Sequence, residues 1–181
     1  MRVFLPILLL SLLFITTSSH AQRIASISPA AAVKLQDKTL QLAACGVRES
    51  LWMNIYAVAL YLPDSSMTQP SILSPNTAKA VVLYPVYDGE LPKNIPQSWY
   101  KRLQKHLTQT QINEMQQVYK TMSTDDIITI AYDPDSGTVF KINDKTLESI
   151  SGSSLITGVI QTWLDKTQKG ANPINLKDMQ C

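Results

Sequence analysis

Ionisable and metal-binding side chains are scarce in this chain of 181 residues. Charged residues make up 17% of it and the formal net charge is +2, whereas about a quarter of a typical soluble domain is charged. The near-neutral balance argues against a nucleic-acid binder, which carries a basic patch or a strongly basic domain. Two cysteines are too few for a disulfide-dense scaffold or a four-cysteine zinc site, and two histidines leave little material for a histidine metal centre.

The motifs of common cofactor and hydrolase sites are missing as well. The sequence has no Gly-x-Ser-x-Gly, no phosphate-binding loop and no dinucleotide fingerprint. The segment from Asp133 to Gly137 resembles the start of a calcium loop but lacks the later ligands and the terminal glutamate. Its Pro-Asp-Ser-Gly composition is typical of a hairpin turn instead. We therefore expect neither a metal nor a cofactor.

The one long apolar run lies at the N-terminus. Arg2 precedes an apolar run from Val3 to Ile15, and Ser19 and Ala21 are the small residues that favour cleavage after Ala21. The run is short for a bilayer span, although an N-terminal membrane anchor is the alternative. We expect residues 1–21 to be a signal peptide and 22–181 to be one periplasmic or secreted domain with net charge +1. No second apolar stretch is long enough to predict stable membrane insertion.

Hydrophobic periodicity predicts strands that are grouped apart from helices. Four strands are expected first, and two helices follow that begin near Gln97 and Thr110. A hairpin and a last helix after Ser151–Ser154 complete the chain. This order predicts an α+β fold. The expected strands are 31–35, 39–44, 51–62, 80–84, 127–132 and 138–142.

The segment from Leu51 to Leu62 is almost entirely apolar, which predicts a strand buried on both faces. Alternation places Asn54 and Tyr56 on one face, where their polar tips need partners or a wet pocket. Ala57 and Ala59 fall on the other face, and their small side chains are expected to leave room for a helix.

Arg48 lies between a predicted strand and this apolar segment. It must reach solvent or an anion there, because burying an unpaired cation is costly. A salt bridge, for instance to Glu49, is the alternative to a ligand.

Cys45 and Cys181 both remain after removal of the signal peptide. An oxidising compartment favours a disulfide bond between them. Such a bond would close a span of 136 residues, which the chain-entropy model values at about 4–5 kcal/mol. The alternative is one buried thiol and one thiol at the terminus.

Three segments resemble the chalcone isomerase-like superfamily, and together they extend over nearly all of the mature chain. The first runs from Leu42 to Arg48 and continues from Asn54 to Pro63, with a Gly-x-Arg turn before an aromatic-rich strand. The others are Asp125–Thr138 and Leu155–Leu164. The resemblance implies an open antiparallel sheet with helices packed on it and a cleft between them.

The resemblance also implies a site. In the plant enzymes the arginine of the turn binds a phenolate-type oxygen, and Arg48 matches it. A threonine on the following strand matches Tyr56, and a threonine in the last helix matches Thr162. These three residues would be catalytic in an active enzyme, and with Asn54 they would form a ligand-binding set.

Three functions are consistent with these residues. Some relatives of the enzymes are non-catalytic fatty-acid binders that keep the arginine to hold a carboxylate, so an exported protein that binds a small apolar anion, a fatty acid or a phenolic compound, is favoured. An isomerase (an intramolecular lyase) acting on a chalcone-like or other substrate is the second. A structural or partner-binding protein with a vestigial cleft is the third.

Overall fold

The computed structural model describes residues 27–50, 53–86, 93–143 and 145–164, without the side chains of 47–50, 53–55, 98, 102 and 162–164. Within these residues, seven strands form one antiparallel sheet in which each strand pairs with the next along the chain. The predicted α+β class and open antiparallel sheet are confirmed. The strands are β1 (Ala32–Leu35), β2 (Lys38–Ser50), β3 (Met53–Leu62), β4 (Lys79–Pro85), β5 (Ile128–Asp133), β6 (Gly137–Ile142) and β7 (Lys145–Ile150).

The described helices lie in the connections β3–β4 and β4–β5 and after β7. They are α1 (Gln69–Leu73), α2 (Gln97–Leu103), α3 (Gln109–Lys120) and α4 (Ser154–Leu164). None of them is long and apolar enough to cross a membrane.

Strand β2 is longer than its sequence predicts. The strand was expected to end at Ala44, and the resemblance implied a turn around Arg48, but β2 continues to Ser50. Its pairing with β3 extends to the partners Ser50 and Met53, with irregularities after Leu42 and Arg48. Backbone bonds to β3 outweigh the low strand propensity of the glycine in this segment, and Arg48 therefore lies on a strand.

The helix layer packs on the face of the sheet opposite to the expected one. Val58, Leu60 and Leu62 of β3 are buried in the cluster that contains the helix residues. Ala57 was expected to share a helix-covered face with Ala59, but the cluster of Ala59 is built from strands and the residue before β4. The expectation failed because the sheet curls, and small side chains fit the inner side of the curl.

The curl is visible in contacts between strands that are not neighbours. The Lys38 ammonium at the start of β2 donates to the carboxylate of Asp133 at the end of β5, and Gln36 donates to Ser136 at 2.9 Å. In a flat sheet β2 and β5 would be about 14 Å apart. The alanine face, defined as the cluster of Leu40, Cys45, Ala59, Tyr61, Ala78, Ala80, Val82 and Ala131, is therefore the concave face.

The segment 133–137 is the turn of the β5–β6 hairpin, as its composition predicts. The Asp133 side chain is fully buried and accepts the backbone N–H of Asp135 at 2.9 Å. The Lys38 ammonium holds the pKa of this carboxyl below its usual range. Asp133 thus stabilises both the curl of the sheet, through Lys38, and the turn of the hairpin, through the N–H of Asp135.

Cys45 lies on the alanine face, where 4% of it is exposed, and it is disulfide-bonded. Cys181 lies outside the described residues, so the pairing of Cys45 with Cys181 stays a prediction. We expect the native oxidised protein to show no free thiol and to show two after denaturation with a reductant. Two reactive thiols in the denatured, unreduced protein would contradict the bond.

Candidate functional site

A cleft opens between the helix layer and the sheet. Its volume is about 380 Å³, part of which is open to solvent. The lining is apolar and aromatic and comes from both layers. The lining residues are Tyr56, Leu83, Pro85, Pro96, Trp99, Tyr119, Met122 and Ile128.

The floor of the cleft is formed by three neighbouring strands. Tyr56 of β3 is paired in register with Pro85 of β4, and Leu83 of β4 is paired with Ile128 of β5. Directly opposed residues of antiparallel strands lie on the same face, so these four side chains form one continuous surface. Tyr56 therefore occupies the face that the sequence assigned to it.

The roof of the cleft begins with Trp99 of α2. Its indole meets the ring of Tyr56 edge to face, with ring centroids 5.7 Å apart and an angle of 66° between the planes. Pro96 lies directly before α2, and its carbonyl accepts the N–H groups of Trp99 at 2.8 Å and of Tyr100 at 2.9 Å, which are the first hydrogen bonds of the helix.

Helix α3 supplies the rest of the roof. Thr108 and Gln111 cap its first turn reciprocally, and the amide of Gln111 also donates to Glu148 of β7 at 2.9 Å. Tyr119 lies in the last turn of the helix, and Met122 lies two residues beyond its end. The capped first turn thus fixes the helix that carries Tyr119 and leads to Met122.

The described lining residues carry two ionisable groups, the phenols of Tyr56 and Tyr119. Burial raises the pKa of Tyr119, so this phenol stays neutral and keeps its proton. In the described part of the chain, no group of three His, Cys, Asp or Glu residues is placed to hold a metal ion.

The residues proposed from the sequence are only partly described. Tyr56 lines the cleft, and Arg48 on β2 is its partner in register. The backbone of Asn54 lies on β3 and that of Thr162 on α4, but the side chains of Arg48, Asn54 and Thr162 lie outside the described residues.

Sequence reasoning missed most of the lining. Trp99, Tyr119 and Met122 were assigned to helix faces by their spacing, and nothing in that spacing distinguishes a cleft from a core. Their role follows from the register that places Pro85 and Ile128 beside Tyr56 and Leu83. The signal available in the sequence was Pro96 followed by an aromatic residue, Trp99, at a helix start.

Comparison with known proteins agrees with this architecture. Among solved structures, the chain is similar to that of AtFAP1, a fatty-acid binding protein of Arabidopsis thaliana. The TM-score is 0.50 and the sequence identity is 16%, and the match covers 78% of this chain and 86% of the AtFAP1 chain. At this identity the likeness establishes the fold. The curated proteins contain no match. A model of the family described as chalcone isomerase-like matches residues 21–175, and the chain therefore belongs to the chalcone isomerase-like family.

Proposed function

We propose that this protein binds a small apolar anion, a fatty acid or a phenolic compound, in the cleft without converting it. The observation that carries the proposal is the register of β2 and β3. Arg48 is opposite Tyr56, and Tyr56 lines the cleft. Directly opposed residues in an antiparallel pair have Cα atoms about 4.5–5.5 Å apart. The residue next to Tyr56 on β2 is therefore Arg48, which is permanently charged.

Such a ligand needs both parts of this arrangement. An acyl chain or an aromatic ring gains free energy by leaving water for an apolar wall. Its carboxylate loses hydration at the same time, and an arginine compensates with two charge-assisted hydrogen bonds.

Two further points favour binding over isomerisation. Among the described lining residues, the groups that could transfer a proton are the phenols of Tyr56 and Tyr119, and burial raises the pKa of the Tyr119 phenol so that it keeps its proton. The similar fold of AtFAP1 is that of a protein described as fatty-acid binding, so this architecture accommodates such ligands in at least one protein.

We also propose that the domain acts after export. Residues 1–21 have the composition and order of a signal peptide. The family match begins at residue 21, where that segment ends. Cleavage after Ala21 would leave Gln22 as the first residue of a periplasmic or secreted protein.

Substituting Arg48 with alanine is the direct test of the binding proposal. We expect native mass spectrometry of the protein purified from the periplasm to show a chain that starts at Gln22 with an apolar anion bound. Arg48→Ala should lose this anion and bind added laurate about 10- to 100-fold more weakly in calorimetry, the size of a lost hydrogen-bonded charge contact. Arg48→Lys should be intermediate, because lysine keeps the charge but not the planar pair of donors.

Lys34→Ala is the matched control, because Lys34 is an exposed cation on β1, and it should bind laurate like the wild type. A wild-type protein that is empty and takes up neither laurate nor a flavonoid would contradict the proposal and favour a structural role. Turnover of a chalcone that depends on Arg48 would also contradict it, in favour of an isomerase.

A further inference from the structure

One glutamine bridges the two parts of the cleft roof. Gln116 is half-buried on α3. Its side-chain oxygen accepts the backbone N–H of Ile95 at 2.9 Å, and its side-chain nitrogen donates to the backbone carbonyl of Lys93 at 2.9 Å. Both ends of a single amide are thus used on one short segment, residues 93–95.

This segment leads directly into one wall of the cleft. Ile95 is followed by Pro96, whose carbonyl accepts the N–H groups that begin α2, and Pro96 and Trp99 line the cleft. Gln116 itself lies on α3, three residues, or about one helical turn, before Tyr119. Gln116 therefore connects the Pro96–Trp99 wall to the Tyr119–Met122 wall, which begins in the last turn of α3.

The bridge satisfies backbone groups that have no ladder partner. Residues 93–95 belong to no strand or helix, and Ile95 is only 8% exposed. A buried backbone N–H without an acceptor is costly. Without the Gln116 side chain, the N–H of Ile95 would need a water molecule as its acceptor. Residues 93–95 would then have to move outward to reach solvent.

We propose that Gln116 is a positioning residue that sets the separation between the Pro96–Trp99 wall and the Tyr119–Met122 wall, and that it thereby restricts the cleft to slender apolar anions. The specificity part of this inference rests on the proposed binding function. The positioning part does not, because it concerns the placement of Trp99 in the empty protein.

The experiment compares Gln116→Met with Gln117→Met. Methionine has a similar length but replaces the amide, and Gln117 is the exposed neighbour on the same helix. With 5-fluorotryptophan incorporated, and with the Trp99 resonance assigned by Trp99→Phe, we expect Gln116→Met to shift that resonance and Gln117→Met to leave it in place. Gln116→Glu keeps the acceptor for Ile95 but loses the donor to Lys93, and should give a smaller shift.

Two carboxylates of different width test the specificity. Laurate is slender, and adamantane-1-carboxylate is a rigid, wide ligand with the same charged group. We expect Gln116→Met to change the ratio of their Kd values by about tenfold in favour of the wide ligand, which is the size of one or two lost neutral hydrogen bonds. Gln117→Met should keep the wild-type ratio.

An unshifted Trp99 resonance in Gln116→Met overturns the positioning role, and so does an equal shift in Gln117→Met. An unchanged ratio of Kd values in Gln116→Met overturns the specificity role. If the wild-type protein binds neither carboxylate, the binding function and the specificity role both fail, and the Trp99 resonance still decides whether Gln116 positions the wall.

Discussion

Replacing Gly137 with alanine is expected to lower the free energy of unfolding by about 3 kcal/mol. Gly137 begins β6 with a φ of +88°, a conformation that residues with a Cβ rarely adopt. An added Cβ would lie 2.5 Å from the carbonyl oxygen of Ile150, which is backbone and unable to rotate away. The substitution thus combines an unfavourable φ with a displacement of the end of β7. Urea denaturation measures the loss, and the Tm should fall by about 6–12 °C.

Gly152→Ala separates the two causes. Gly152 also has a positive φ, +76°, but a Cβ there would meet nothing within 4 Å. It lies in the same region, since its carbonyl accepts the hydroxyl of Thr138 at 2.6 Å. We expect Gly152→Ala to lose only about 1 kcal/mol, the part that arises from φ. Equal losses for the two variants would show that the contact with Ile150 contributes nothing.

The elements of the fold could be predicted because local patterns and long-range packing agree in most of them. The apolar segment ending at Leu62 is a central strand, and the turn residues of 133–137 join β5 and β6, as expected. The structure differs from the prediction where the neighbouring strand determines the extent of an element or the face that is covered. Arg48 is on a strand because β3 supplies hydrogen bonds out to Ser50, and alternation alone could not tell which face of β3 the helices would cover.

The candidate site was less predictable for a related reason. Tyr56 was identified because a polar tip on an apolar strand needs an explanation, and the resemblance supplied one. Trp99 and Tyr119 carry no such mark, since aromatic residues at helical spacing are equally typical of a core. Their function depends on two helices that meet over the strands at Pro85 and Ile128, which is a property of the assembled sheet.

Lys79 is a second residue whose environment could not be predicted from the sequence pattern. It begins the apolar strand β4, and a lysine at a strand end is usually exposed, yet Lys79 is 0% exposed. Its ammonium donates to the carbonyls of Ile72 and Ser74 at 2.7 and 2.8 Å, at the end of α1, and lies 5.5 Å from the centre of the Tyr132 ring. The Tyr132 hydroxyl donates to the carbonyl of Pro75 at 2.6 Å. Two side chains from the sheet therefore fasten the loop that carries α1.

This buried cation has no acidic partner in the described part of the chain. Its bonds go to neutral carbonyls, and α1 contributes no ionisable side chain. Burial lowers the pKa of Lys79 from 10.5 to about 8. The carbonyls at the C-terminal end of a helix favour a cation, which explains why the charged form is tolerated at neutral pH.

The stability of the protein should consequently rise with pH between 8 and 10.5 through Lys79. The folded state binds the Lys79 proton more weakly than the unfolded chain does, so the unfolded chain holds more protons in this interval, and stability increases with pH wherever that is so. The lowered pKa corresponds to about 3 kcal/mol over the whole interval. We expect the free energy of unfolding of the wild type, minus that of Lys79→Met, to increase by up to this amount in urea titrations from pH 7.5 to 10.5. Burial raises the pKa of Tyr61 and Tyr119, which lowers stability as the pH approaches 10. The wild type and Lys79→Met share these two tyrosines, so their contribution cancels in the difference.

The control is Lys145→Met, at an exposed position on β7, which should show a flat difference from the wild type. A flat difference for Lys79→Met as well would mean that the Lys79 ammonium is solvated in the folded protein, and the bonds to Ile72 and Ser74 could then not be what holds α1 against the sheet.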